Sequence, residues 1–319
     1  MRAGACGFRE HPYLLDTAGE PVRVAAVPWL GMEIEGLDRF TQLLTLAIDE
    51  ALQAAPDLEQ IEFFLGLPEP RPGAPEAVLI SMREVVLQRY GKRVAAVHSF
   101  ESGHASALLG MNLAHRAIAT GSARACIVAG VDSYLDAQTL EWIEHCDQLH
   151  GGGPLNNAWG FIPGEAAGAL LLEARESSRP VLAELVSVGL GNESKLIKTD
   201  TVCLAEGLTQ AFRAALAALS PGDVIDNVYC DLNGEAYRAD EYGFTVLRTK
   251  AWFRAATDFI APADCWGDVG AAGSPLHALL AIAASENGTA KGPHSLIWGS
   301  SEGGDRAAAV LRAAVANRD

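Results

Sequence analysis

A histidine framed by two serines is the first place where this chain could do chemistry: Ser102-Gly-His104-Ala-Ser106 opens a long apolar stretch. An imidazole beside a hydroxyl can act as the base that activates a nucleophile, although serines at a helix start serve equally well as N-caps. A second stretch is Cys230-Asp-Leu-Asn-Gly-Glu-Ala-Tyr-Arg238. There Glu235, in a turn after an apolar run, and Arg238 could hold a small ligand, pair with one another or sit in a solvated loop. Glu302-Gly-Gly-Asp305 follows what reads as the last strand, and its glycines are satisfied by a tight turn. His145-Cys146 and His150 are metal-type ligands without a fourth member, so a polar loop ahead of Gly151-Gly-Gly-Pro154 accounts for them better. The expectation is no metal and no cofactor.

The six cysteines (Cys6, Cys126, Cys146, Cys203, Cys230, Cys265) show no C-x-x-C spacing. Cys126 and Cys230 lie in apolar runs, where a thiol behaves as a small hydrophobe. All six read as reduced, which places the chain in the cytoplasm. A net charge of −16 argues against a nucleic-acid surface, which needs a basic stripe. The opening MRAGACGFREHPYLLD carries Arg2, Arg9, Glu10 and Asp16 and no apolar h-region, so it does not read as a signal peptide. No apolar run approaches the roughly 18 residues of a membrane span.

The elements that must position these groups come next. Gly103 to Asp132 reads as a helix, apolar nearly all round, feeding a covered strand at Ala125–Ala129, with Gly121 as the stop between them. Leu43 to Leu67 is helix, Pro-Asp break and apolar strand, and Leu208 to Leu232 repeats that plan. Ala105–Gly121 pairs in the same way with Ala272–Gly288, each followed by a strand, at a spacing near about 165 residues throughout. The chain therefore reads as a duplication, with halves 1–178 and 179–319 joined at the polar Ser177-Ser-Arg-Pro180. Helices alternating with apolar strands imply an α/β fold of two similar sheets with helical cover.

Four ordered segments resemble the thiolase-like superfamily, and within it the β-ketoacyl synthases. Gly103–Asp132 is similar to the segment in which that family's catalytic cysteine opens a central helix. Trp159-Gly-Phe-Ile-Pro-Gly-Glu-Ala-Ala-Gly-Ala-Leu-Leu-Leu-Glu173 looks like its GF-x-x-GEGAG turn and strand, with Ala166 replacing one glycine. Glu206-Gly-Leu208 with Phe212, Ala215 and Leu216 looks like the helix that begins the second half. Asp264-Cys-Trp-Gly-Asp-Val-Gly-Ala-Ala-Gly273 looks like its second histidine motif. The resemblance implies a five-layer αβαβα fold with the two apolar helices between the sheets. It also implies a site from which the chemistry has gone: His104 stands in the cysteine's place, Asn233 and Asp268 in those of the two histidines, and Ala263 in that of the lysine. His104 with Asp268 and Asn233 then forms either a base and its orienters or a cluster that satisfies buried polar groups.

Two functions follow from the resemblance. The first is a non-catalytic accessory, adaptor or partner subunit, resembling degenerate ketosynthases or the thiolase-like proteins of type VI secretion clusters. Phe8–Pro21 with its flanking Gly7 and the segment DLNGEAYR favour the latter group, whose partners would be secretion effectors. The second is an acyltransferase or acyl-thioester hydrolase that uses His104 as its base, with an acyl carrier protein as partner. Either implies a homodimer, or a heterodimer with a related chain, joined by first-half edge strands. Val94–Val97 is the first choice for that contact and Ser133–Asp136 the second.

Overall fold

The structure, a computed structural model, describes residues 6–314 apart from 176, 178, 198 and 200. Arg2 and Ser178, where the join of the halves is expected, lie outside the described residues.

Strands β1 (Phe8–Leu15) and β2 (Pro21–Ala25) pair as an antiparallel hairpin. There follow α1 (Gly36–Gln53), β3 (Ile61–Leu67), α2 (Val78–Tyr90), β4 (Val94–Glu101), α3 (Gly103–Ala119), β5 (Ala125–Ser133), α4 (Ala137–His145) and β6 (Glu165–Glu173). The second half contributes β7 (Ala183–Asn192), α5 (Glu206–Leu216), β8 (Asn227–Tyr229), α6 (Ala236–Thr249) and β9 (Phe259–Ile260). It closes with α7 (Ala263–Trp266), α8 (Gly273–Glu286), β10 (His294–Ser300) and β11 (Asp305–Ala313). One sheet runs β4-β3-β5-β6, the other β7-β11-β10-β8-β9.

The period-two side-chain alternation of strands decides which layer each residue enters. In β3 and β5, Phe63, Leu65, Ile127, Ala129 and Val131 pack outward under α1 and α2, while Phe64, Cys126 and Val128 face inward. In β10 and β11, Leu296, Trp298, Ala308 and Val310 pack under α5, while Ile297, Ala307 and Ala309 turn inward. The inward faces meet the small-residue surfaces of α3 and α8, so the layers are helix, sheet, the helix pair, sheet, helix. This is the five-layer thiolase-like α/β fold that the motifs imply.

Two glycines let the central helices seat against the sheets. A Cβ on Gly130 of β5 would stand 2.2 Å from the Ala271 carbonyl oxygen, and one on Gly299 of β10 would stand 2.4 Å from that of His104. Gly103 and Gly270, just ahead of those carbonyls, both adopt φ +48°, a left-handed conformation that suits glycine. These glycines occupy matching places against the two central helices. Gly299→Ala must push backbone rather than a flexible tip, so we expect a loss of about 1–3 kcal/mol in chemical denaturation.

The repeat is not complete. β7 lies beside β11 as the fifth strand of its sheet, but nothing corresponding lies beside β6 among the described residues. The strand ahead of α1 is β2, which pairs with β1 and, by an isolated bridge, joins Ala25 to Gly164 just ahead of β6. β5 also runs beyond the expected Ala129, to Ser133. It can do so because its polar end is neutralised: Arg71 Nη2 donates to Asp132 Oδ1 (2.5 Å), and Ser133 Oγ to Glu165 Oε2 (3.0 Å). Val94–Val97 does lie on an edge strand, β4. Ser133–Asp136 lies at the end of the interior strand β5 and enters α4, so it is not a sheet edge.

Candidate functional site

The start of α3 points into the second half. Ser274 Oγ donates to the His104 carbonyl (3.0 Å), and Ser301 Oγ accepts from Ala105 N–H (2.9 Å), so both α8 and the loop after β10 fix the helix end. His104 is thereby placed over the loops that follow β8 and α7. Its Nε2 lies 2.9 and 3.0 Å from the two Asp268 carboxylate oxygens. Asn233 Nδ2 donates to Asp268 Oδ2 (2.6 Å) and Glu235 Oε2 (3.0 Å), and Gly270 N–H to Asp268 Oδ1 (2.8 Å). The three residues named from sequence thus meet at one buried point.

At the centre of this network Glu235 and Arg238 pair with one another, one of the alternatives the sequence left open, but the sequence did not place Arg238 against the His104 cluster. Arg238 is 1% exposed and its guanidinium reaches Asp231 Oδ2 (2.6 Å), Glu235 Oε2 (3.1 Å) and the Ser300 carbonyl (2.8 Å). The solvated-loop reading of Glu235 and Arg238 is therefore wrong: Glu235 is the N-cap residue of α6, and that helix turns Arg238 inward. The carboxylates of Asp231 and Glu235, seven and three residues before Arg238, were the available signal. Gln148, which donates to Glu235 (2.8 Å) and Glu302 (2.6 Å), sent no such signal. Ser102 and Ser106 take neither expected part. Ser102 makes no side-chain cap bond, Ser106 Oγ donates back to the Gly103 carbonyl, and neither hydroxyl is hydrogen-bonded to His104.

Electrostatics make His104 a cation. Burial alone would lower its pKa, but the Asp231 and Asp268 carboxylates outweigh burial and the nearby Arg238 and push it up to about 9. Burial opposes the Asp268 carboxylate in turn, yet His104, Arg238 and Asn233 hold it well below the usual range. Burial raises Asp231, against the pull of His104 and Arg238. Burial, reinforced by the His104 charge, lowers His277 to about 3, so it is a neutral ring at physiological pH. An imidazolium with its Nε2 proton committed to a carboxylate is a hydrogen-bond donor, not a free base.

His104, Asp231, Asn233, Trp266, Asp268 and His277 line a cavity of about 20 Å³, room for about one water. Ala263 lies on its wall at the start of α7. Elsewhere, Glu193, Cys203 and Glu241 have metal-type spacing. Their carboxylates are already engaged, Glu193 by the Gly207 and Lys195 amides and Glu241 by Arg306 and Ser300.

Residues 92–178 match the family model of the beta-ketoacyl synthase N-terminal domain. No curated protein matches the chain in sequence. Among solved structures it is similar to the ishigamide ketosynthase/chain length factor, at 22% identity and a TM-score of 0.71, over 98% of this chain and 93% of that one. The AntDE:AntF assembly, a type II PKS acyl carrier protein in complex with its ketosynthase, gives 16% and 0.74 over 98% and 93%. The ketosynthase from module 6 of the bacillaene synthase of Bacillus subtilis 168 gives 14% and 0.75 over 98% and 68%. Among the described residues no helix is long and apolar enough to cross a membrane. The chain is a thiolase-like, β-ketoacyl-synthase-like protein in fold, and the match to the synthase N-terminal domain spans the helix that His104 opens.

Proposed function

We propose that this chain is a non-catalytic ketosynthase-fold protein of the cytoplasm, built from halves 1–178 and 179–319, that acts as an accessory, adaptor or partner subunit without a cofactor. The observation that carries this reading is the His104–Asp268 ion pair at the head of α3. Acyl transfer there would need a thiolate stabilised by the helix terminus. This chain offers an imidazolium clamped by a carboxylate, beside a small polar cavity with room for about one water. Neighbours described as a ketosynthase/chain length factor, and as a ketosynthase in complex with an acyl carrier protein, support work in partnership. The opening segment and DLNGEAYR favour effector delivery in type VI secretion as the setting.

The alternative is an acyltransferase or acyl-thioester hydrolase using His104. Its base would be protonated at neutral pH, which works against proton abstraction. Intact-mass spectrometry after incubation with labelled acyl-carrier and coenzyme A thioesters separates the readings. We expect an unchanged mass and no thioester turnover. An adduct or turnover abolished by His104→Ala or Ser106→Ala would sink the non-catalytic reading.

A partner subunit should also pair. β4 is an unpaired edge with Ala95 and His98 exposed. We expect a dimer joined through it, burying roughly 2,000 Å² or more. Light scattering at micromolar concentration that reports a clean monomer, with no partner chain needed for solubility, would refute this.

A further inference from the structure

We propose that Cys6 and Cys265 are a reactive thiol pair that a low-molecular-weight disulfide closes into an intramolecular bond, fastening the N-terminal hairpin to the wall of the polar cavity. The two residues are far apart in sequence and adjacent in space. Gly7 N–H, in the peptide that follows Cys6, donates to the Cys265 carbonyl at 2.7 Å. Standard peptide geometry then holds the two Cα atoms within about 7 Å of each other, a span that covers the range of about 4.4–6.8 Å a disulfide bridges. Both are free cysteines, Cys6 exposed and Cys265 partly so. Cys126 and Cys230 are buried, and burial pushes both thiols up to about 12, which leaves them inert to exchange.

The position gives the bond a consequence. Cys265 lies in α7, next to Trp266, which stacks on His277, and three residues before Asp268. The second strand of the hairpin, whose Ala25 pairs with Phe8 at this same open end, is already tied to the same wall. Ala25 N–H donates to the Pro163 carbonyl (2.8 Å), and Gly164 N–H donates to the Asp268 carbonyl (2.8 Å). Closing Cys6 onto Cys265 adds a covalent tie to the Gly7–Cys265 hydrogen bond, so both strands of the hairpin are anchored at its open end, beside the His104–Asp268 pair.

The exchange balances without any further reagent. The exposed Cys6 thiolate attacks oxidised glutathione, forming a mixed disulfide and releasing one glutathione thiolate. The Cys265 thiolate then attacks the Cys6 sulfur and expels the second glutathione. The two cysteine protons end on the two glutathione thiols, and the protein loses two electrons to the glutathione disulfide.

The full chain is incubated with oxidised glutathione, quenched in acid, and read by thiol titration, intact mass and non-reducing peptide mapping. We expect six titratable thiols per denatured chain to fall to four, a mass lower by two hydrogens, and one cross-linked peptide joining Cys6 to Cys265. Dithiothreitol should reverse all three. In Cys265→Ser the mixed disulfide on Cys6 should persist as a glutathione adduct, and in Cys6→Ser no cross-link should form. A persistent adduct on Cys6 in the unsubstituted protein, a Cys6–Cys6 dimer between chains, or a cross-link to another cysteine would each overturn the proposal.

Discussion

Arg238→Met is expected to cost about 3–5 kcal/mol of folding free energy in urea denaturation, a large share of the roughly 5–15 kcal/mol that holds most domains folded. Arg238 is buried and faces two carboxylates that are themselves almost inaccessible, with side-chain exposures of 9% for Asp231 and 5% for Glu235. Removing the guanidinium takes away the cation that both share. Glu235 is left with the Gln148 and Asn233 amides, and Asp231 with the Ser300 N–H and the more distant His104, and solvent cannot reach in to screen them. The penalty comes from the abandoned carboxylates more than from the lost attraction. Adding Asp231→Asn to Arg238→Met should therefore recover part of the loss, because an amide tolerates burial better than an unpaired charge. An exposed pair provides the control: Arg312 and Glu184 are 44% and 43% exposed, so Arg312→Met should cost under about 1 kcal/mol. Equal losses at Arg238 and Arg312 would show that the cluster does not behave as a buried ion network.

Much of this architecture is legible because it is written locally. The small-residue start of α3, the apolar run of β5 and the GF-x-x-GE turn each occupy one contiguous segment. His104, Asn233 and Asp268 could be aligned because each sits at a fixed offset within such a segment. What stayed hidden depends on distant partners. Arg238 bonds a carbonyl 62 residues on, and the same Glu-x-x-Arg spacing would look identical on a solvated helix. The diversion of β2 into a hairpin is invisible for a related reason: its alternating pattern suits a place beside β1 as well as one beside β6. The serines beside His104 misled because helix starts select hydroxyls for capping and for nucleophiles alike. Only the path of the chain shows that Ser106 turns back to Gly103.

Stability should fall on the alkaline side of neutrality, and His104 should carry most of that limb. Its pKa is about 9 in the folded protein against an ordinary 6.5, so between these values the native state holds a proton that the unfolded chain has released. With more protons bound in the native state, stability decreases as pH rises, by at most about 1.4 kcal/mol per unit. The contribution is complete below 6.5 and is lost as pH passes about 9, a total near about 3 kcal/mol for this fully buried ring. On the acid side the groups oppose one another. His277, held at about 3, and Asp268, held low, both cost stability as pH falls, whereas Asp231 and Glu69, raised chiefly by burial, gain it. The alkaline limb is therefore the clean test. Denaturation midpoints of the unsubstituted protein should drop steadily from pH 6.5 to 9. His104→Gln, which keeps a side-chain donor for Asp268 but cannot titrate, should start lower and stay nearly flat across that window. A parallel decline in the variant would place the titrating group elsewhere and remove the charged His104 from the account of the site.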